Sequence, residues 1–439
     1  MSAFVLDDLV VNERGNLSIG GCDATDLARE FGTPLYVLDE GTIRKNCRRY
    51  VDSIRTHYAG RGLALYASKA LCTTALLKVA ASEGMGVDVV SGGELFTAIR
   101  AGVDPKTVFF HGNNKTPEEL EAALAAGVRR IVADNALEVE RLSALAAARG
   151  KVADISLRIK PGIEAHTHDF VKTGQIDSKF GVAIETGEAL ALAEKAAALP
   201  GVRLVGIHCH IGSQIFDVDP FLEAARVMLD FAAQVRGRTG IVLEELNLGG
   251  GFGIRYIEEH DPVDFGAYIE AIAGAVRAKC AEHGLPEPFL CLEPGRSIVA
   301  SAGVTLYTVG PVKTIPEIRT YVAVDGGMYE NPRYALYGSP YDAVLAERPL
   351  APRTAPVTIA GKCCESGDLI QENLMMPEVR TGDLLAVLAT GAYNYSMAGN
   401  YNRNPRPAMV LCRDGKARLV VRRETFEDLV RCDVVPDDL

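Results

Sequence analysis

The stretch LALYASKALCTTALLKVAASEGMGVDVVS, residues 63–91, decides the fold. An apolar, strand-like run at 63–68 ends in a lone amine, Lys69. An alanine- and leucine-rich helical stretch follows, and a second β-branched run spans 87–91. This is one strand–helix–strand unit, and the same alternation continues to about residue 296. The spacing predicts strands at 63–68, 87–91, 107–111, 130–134, 153–159, 203–210, 243–248 and 289–293. Helical segments such as 118–126, 137–149 and 264–283 carry apolar residues at three-to-four spacing. Eight such units are the number that closes a (β/α)8 barrel, whose active sites form where the strands end.

The polar residues obey that rule. Lys69, Asp88, His111 with Asn113 and Asn114, Asn135, Arg158, His210, Ser213, the Gly249–Gly251 run, and Glu293 with Arg296 all fall at or just past a predicted strand end. Their convergence on one rim weighs more than any single motif. After Gly303 the pattern becomes alternating strands with Pro and Gly punctuation, as at 321–325, 357–360 and 384–388, which predicts an all-β domain. Val10-Val11 and Leu17-Ser18-Ile19 are positioned to add strands to it. The expected class is therefore α/β plus all-β: a TIM-like barrel over 35–296, and a β-sandwich or β-barrel domain built from 1–34 and 297–439.

A chain of 439 residues exceeds the usual length of one domain, which agrees with two. A net charge of −11 argues against a nucleic-acid surface, which needs clustered Lys and Arg. No basic segment followed by an apolar stretch opens the chain, and no apolar run reaches the ~18 residues of a membrane span. The ten cysteines lack paired spacing and read as reduced thiols of a cytoplasmic protein. Cys363-Cys364 is the exception, an adjacent pair that serves either packing or chemistry.

The rim chemistry is specific. A lysine at a strand end is usually just solvated, but this one has company. Lys69 is placed to hold an aldehyde as a Schiff base, and His210 to stack on a ring. Gly249-Gly250-Gly251-Phe252-Gly253 offers an anion cradle, with the Ser213 hydroxyl as a further donor, where barrels often hold phosphate. Its spacing does not fit a dinucleotide fingerprint, and alone it reads more readily as a turn. Glu293 in Leu292-Glu293-Pro294-Gly295-Arg296 suits the pyridine nitrogen, although an ion pair with Arg296 is an equal reading on local evidence. Together these groups describe a pyridoxal 5'-phosphate site. An acid on the pyridine nitrogen favours decarboxylation over racemisation, which in a related barrel class pairs that nitrogen with an arginine. The rival is a metal site on His166/His168 or His208/His210, since alternate strand residues face one way. No matching set of further His and Asp ligands accompanies either pair, so no metal is expected.

At this point the chain resembles the diaminopimelate decarboxylases, within the barrel-type (fold type III) pyridoxal phosphate decarboxylases that also include ornithine and arginine decarboxylases. The resemblance runs over nearly the whole chain. It rests on Tyr66-Ala67-Ser68-Lys69-Ala70, Ser91-Gly92-Gly93-Glu94-Leu95, His111-Gly112-Asn113-Asn114-Lys115, His210-Ile211-Gly212-Ser213-Gln214, Glu293-Pro294-Gly295-Arg296, Asn331-Pro332-Arg333, Cys364-Glu365-Ser366-Gly367-Asp368 and Gly391-Ala392-Tyr393. Tyr334 stands where a proline is common, and Cys363 where a histidine or small residue is expected.

The resemblance implies roles residue by residue. Lys69 carries the cofactor, His210 stacks on it, Ser213, Gly250 and Gly251 hold its phosphate, and Glu293 meets its nitrogen. Asp88, Arg158, Gly295, Arg296 and Tyr393 complete the cofactor site. Arg296, Arg333 and Tyr337 grip the distal carboxylate of the substrate, Glu365 contacts its distal amine, and Tyr393 lies near both ligands. Cys364 is the acid that protonates the product, and Cys364 with Glu365 reaches into a neighbouring subunit, giving a homodimer with shared sites. The implied reaction converts meso-2,6-diaminopimelate to L-lysine and CO2, the last step of lysine biosynthesis; the alternative is a related decarboxylase acting on another carboxylated amino acid. A non-catalytic regulator would lack the lysine or the cysteine, and this chain keeps both.

Overall fold

A computed structural model describes Phe4, residues 6–163 and residues 178–439. His166 and His168 lie outside the described residues. The chain divides into two units: Arg44–Ile254 with Pro262–Ile298, and Met1–Ile43 with Arg255–Asp261 and Val299–Leu439.

The first unit is the barrel. Its strands are β1 (Gly62–Ala67), β2 (Gly86–Val89), β3 (Val108–Phe110), β4 (Arg130–Ala133), β5 (Ala153–Lys160), β6 (Val202–His208), β7 (Glu245–Asn247) and β8 (Phe289–Leu292). Each pairs in parallel with the next, and β8 returns to β1 through Leu290 opposite Gly62, closing the ring. All eight predicted strands are present. A short strand that the sequence did not suggest, Val182–Ala183, adds to β5.

The connecting helices start where side chains satisfy their free N–H groups. Thr73, Ser91, Asn135 and Asp264 each accept from a backbone N–H in the first turn, and Thr116 forms a reciprocal capping box with Glu119. Inside the ring Leu65, Phe109, Val132 and Cys291 pack as a dry layer. Arg130 and Glu245, first residues of β4 and β7, close the end opposite the rim. Arg130 donates from Nε and Nη2 to the two Glu245 oxygens at 2.9 and 3.0 Å, both residues being buried. Such a pair is costly to break from one side, at roughly 3–5 kcal/mol.

The second unit is built on one long strand, Gly303–Ile315. It pairs antiparallel with Leu35–Asp39, Leu384–Leu388 and Arg319–Val324. Ala408–Arg413 runs parallel to Leu35–Asp39, and Ala355–Ala360 parallel to Arg319–Val324. The barrel was expected to begin at residue 35, and the structure corrects this. Leu35–Asp39 is a β-domain strand, because its edges are satisfied by residues 303–306 and 408–412. Val10–Val11 and Leu17–Ile19 are strands of this unit, but they form their own three-stranded sheet with Cys22–Asp23.

Candidate active site

Lys69 follows the last residue of β1 in a 3-10 turn, Ser68–Ala70. Its neighbours Ser68 and Ala70 are buried while Lys69 itself is exposed, so the turn holds the amine out from a fixed base. The base is fixed by Glu94. Ser68 Oγ and the Val90 N–H both donate to Glu94 Oε2 at 2.8 Å. Glu94 had no assigned role from sequence; its signal was its place in a helix-capping turn, where Ser91 Oγ accepts the Glu94 N–H. Lys115 is engaged elsewhere, donating to Gly112 O and Val132 O at 2.8 Å and to Glu138 Oε1 at 2.7 Å.

Glu293, just past β8, is surrounded by donors. Asn247 Nδ2 donates to Oε1 at 2.6 Å, His111 Nε2 lies 2.8 Å from Oε1, and His208 Nε2 lies 3.2 Å from Oε2. All four residues are buried. Burial alone would push the Glu293 carboxyl up, but His111 and then His208 overcome it and hold the group well below the usual carboxylate range. Burial pushes His208 down to about 4, so this ring is neutral. Burial also opposes charge on His111, but Asp88 and then Glu293 outweigh it and raise its pKa. Asp88, whose Oδ1 lies 3.7 Å from His111 Nε2, is pushed up to about 7 by burial against the pull of His111, with Glu293 adding to the push.

The loops after β6, β7 and β8 meet at the glycine run. Gly250 N–H donates to His210 Nδ1 at 3.3 Å, which leaves the His210 proton on Nε2. Burial, then Lys69 and Arg158, hold His210 well below the ordinary histidine pKa, so it is a neutral ring. A Cβ on Gly250 would lie 2.1 Å from Glu293 O, and one on Gly251, at φ +111°, would lie 2.4 Å from Gly212 O. Only glycine lets these loops close on one another. Ile215 N–H to Gly251 O and Gly253 N–H to Ile215 O, each 2.9 Å, zip them together. Ser213 Oγ accepts from Arg296 Nη2 at 2.9 Å, and Gly295 packs against Ala67, where a Cβ would come within 3.0 Å of the Ala67 Cβ. Arg158 stacks on Phe180 with its guanidinium carbon 4.2 Å from the ring centre. Thus Lys69, Asp88, Arg158, His210, Ser213, Gly250, Gly251, Glu293, Gly295 and Arg296 lie on one unit, at or near the C-terminal ends of its strands. Arg296 contacts Ser213, the expected phosphate ligand.

The remaining residues belong to the β unit. Arg333 and Tyr337 are the ends of one helical turn, Arg333–Tyr337. Arg333 is buried; its Nη2 donates to Ser339 Oγ at 2.9 Å, while Nε and Nη1 have no aligned acceptor among the described residues. Its guanidinium lies over the Tyr393 and Tyr256 rings at 5.4 and 5.9 Å. Tyr393 adopts φ +64°, rare for a residue with a side chain. Asp368 accepts the Cys363 N–H at 2.7 Å and the Met328 N–H at 2.5 Å, pinning the loop in which Cys363 is buried and Cys364 and Glu365 are exposed. Cys363 is buried, as a packed thiol is, and burial pushes its pKa up to about 12. Cys364 N–H donates to Asn402 Oδ1 at 2.7 Å.

The sequence spacing places His208 and His210 as alternate residues of one strand, but β6 ends at His208. The period of two stops there, and the rings go to different partners, Glu293 and Gly250.

Known proteins resemble this chain closely. Residues 40–300 match the family model of the pyridoxal-dependent decarboxylase, pyridoxal binding domain. A diaminopimelate decarboxylase of Bacillus subtilis (strain 168) is 48% identical over 426 residues, covering 96% of each chain. One from Staphylococcus aureus (strain COL) is 43% identical, covering 95% of this chain and 98% of its own. Among solved structures, diaminopimelate decarboxylase from M. jannaschii in complex with L-lysine superposes with a TM-score of 0.91 at 36% identity, over 100% of both chains.

Proposed function

Because the chain belongs to the diaminopimelate decarboxylase group of the pyridoxal-dependent decarboxylases, we propose that its barrel rim removes CO2 from meso-2,6-diaminopimelate to leave L-lysine. It is a carboxy-lyase, and its cofactor is pyridoxal phosphate. The rim residues fit that group. An exposed amine on a fixed turn suits the aldehyde, a neutral imidazole suits a ring face, and close-packed glycines beside Ser213 and Arg296 suit a phosphate. The observation that carries the reading is Glu293: buried, yet held ionised by His111, His208 and Asn247.

Pyridoxal phosphate, when bound, supplies the electron sink that takes up the pair left by departing CO2. The residues set the conditions for this. Glu293 keeps a proton on the pyridine nitrogen, because an ionised carboxylate in a buried site favours a cation beside it. Asn247 and His208 hydrogen-bond the carboxylate, and His111 lies beside Oε1 at 2.8 Å. Lys69, exposed on its turn, would hold the cofactor through its amine. Arg296, through Ser213, holds the phosphate end. Asp88 and Arg158 contribute charge around the ring, and Gly295 keeps β1 and the loop after β8 close.

On the β unit, Arg333 is a buried guanidinium lying over the Tyr393 and Tyr256 rings, and a planar guanidinium suits a carboxylate. With Tyr337 and Tyr393 it grips the distal carboxylate, which selects a substrate with two acid ends. Glu365 receives the distal amine. Cys364 donates the proton to the carbon that lost CO2. Its loop serves the barrel of a second copy in a two-fold dimer. The exposure of Cys364 and Glu365, on a loop otherwise pinned by Asp368, supports this arrangement. A reduced, cytoplasmic setting suits a thiol acid, and no helix among the described residues is long and apolar enough to cross a membrane. Incubation with meso-diaminopimelate and pyridoxal phosphate tests the reading. Equimolar CO2 and L-lysine are expected; turnover of L-ornithine or L-arginine in preference would replace it with the other decarboxylase.

A further inference from the structure

His111, His208 and Glu293 serve the cofactor site, but their arrangement also has a metal-binding character. One ligand atom from each lies within 4.8 Å of the others, and all three residues are buried. Two imidazoles and a carboxylate are the ligand set that zinc takes when a fourth position is left open. Two further observations bear on the same cluster. Among the described residues, His111 Nε2 makes no aligned hydrogen bond despite its 2.8 Å contact with Glu293, and Asp88 Oδ1, which also has no hydrogen-bond partner there, lies 3.7 Å from it. Asn247 already orients the carboxylate from outside, as the groups behind metal ligands do. Carboxylates at Asp88 and Glu293 supply negative charge that a divalent cation neutralises.

We propose that the cofactor-free enzyme binds one zinc-like divalent cation at His111, His208 and Glu293, and that this cation and pyridoxal phosphate exclude one another. The exclusion rests on the proposed role of Glu293. Once the carboxylate is committed to a metal it no longer meets the pyridine nitrogen, and a divalent charge repels a protonated ring. Zinc is favoured over magnesium or calcium because imidazole is a poor ligand for those hard ions. The other group of this kind among the described residues, Asp230, Glu282 and His283, is already neutralised by Lys279, whose Nζ lies 2.9 Å from both Asp230 Oδ1 and Glu282 Oε1.

The test titrates cofactor-free enzyme with zinc against a chromophoric chelator, and with cobalt for its visible absorption. One equivalent should bind, cobalt should show the intense bands of a four-coordinate nitrogen–oxygen site, and His208→Asn and His111→Asn should each weaken binding by at least about tenfold. Melting curves check that the Asn variants fold, and the cobalt spectrum of the unaltered chain decides the matter without any variant. Unchanged affinity in folded variants, loss of binding in His283→Ala instead, or a cobalt spectrum of the six-coordinate aqueous type would each overturn the proposal. This titration contains no pyridoxal phosphate, so its result is independent of the proposed function. In a second arm, preloaded zinc should slow the growth of cofactor absorbance, and holoenzyme should resist zinc. Simultaneous binding of both would overturn the exclusion.

Discussion

His208 Nε2 and Glu293 Oε2 lie 3.2 Å apart, with both side chains buried, and the histidine is neutral while the glutamate is ionised. A charge in that setting is stable only because several groups hydrogen-bond or pair with it. The carboxylate is thereby poised for a cation delivered from the rim, which is what a protonated pyridine nitrogen provides.

Glu293→Gln keeps the shape and removes the charge. The variant should retain pyridoxal phosphate through Lys69 and the phosphate ligands, while kcat falls by roughly 10²–10³-fold, the scale for loss of one preset electrostatic group. Steady-state kinetics beside the cofactor absorbance separates the two effects. Unchanged kcat would deny Glu293 its role.

Arg333→Ala removes the buried guanidinium that stacks on Tyr393 and Tyr256. Loss of one half of a charge-assisted pair costs roughly 2–5 kcal/mol, so turnover of diaminopimelate should collapse. The cofactor spectrum should not change. Survival of turnover would place the distal carboxylate elsewhere.

Lys69→Ala and Cys364→Ala should each be inactive alone and partly active when mixed. In a dimer with shared sites, one hybrid site contains both wild-type groups. Activity is measured after subunit exchange has been demonstrated by mass labelling. No recovery would refute the shared site, and full activity of Cys364→Ala alone would refute the thiol as the acid.

Glu330 offers a pH test of the β unit. Burial pushes its carboxyl up to about 8; the Gly327 N–H and the Tyr307 hydroxyl, which donate to Oε1 at 2.9 and 2.8 Å, oppose that rise. A raised pKa means that the folded state favours the protonated form. The stability it contributes is complete below the ordinary carboxylate pKa of about 4.3 and is lost as pH rises through about 8. Denaturant midpoints from pH 5 to 9 should fall for the native chain and fall less for Glu330→Gln. Parallel curves would count against a neutral Glu330.

Much of this was legible in the sequence because barrels place their chemistry at strand ends. The run before Lys69 and the alternation after it located the strands, since burial on both faces of a parallel sheet leaves continuous apolar segments. Leu35–Asp39 has the same look but belongs to the β domain, because its partners at 303–306 and 408–412 lie far along the chain. No local pattern encodes such pairing. The groups around Glu293 were hidden for a related reason. Asn247 and His208 are ordinary strand residues until β6, β7 and β8 stand side by side, and the end of β6 at His208 removed the alternation on which the His208/His210 pairing relied.

Every role proposed for the rim depends on Lys69 carrying pyridoxal phosphate there. Borohydride reduction of the holoenzyme, followed by digestion and peptide mass mapping, is the decisive measurement. The pyridoxyl mass should appear on the peptide containing Tyr66-Ala67-Ser68-Lys69-Ala70. Its recovery on Lys115 or Lys179 instead would contradict the assignment of the site.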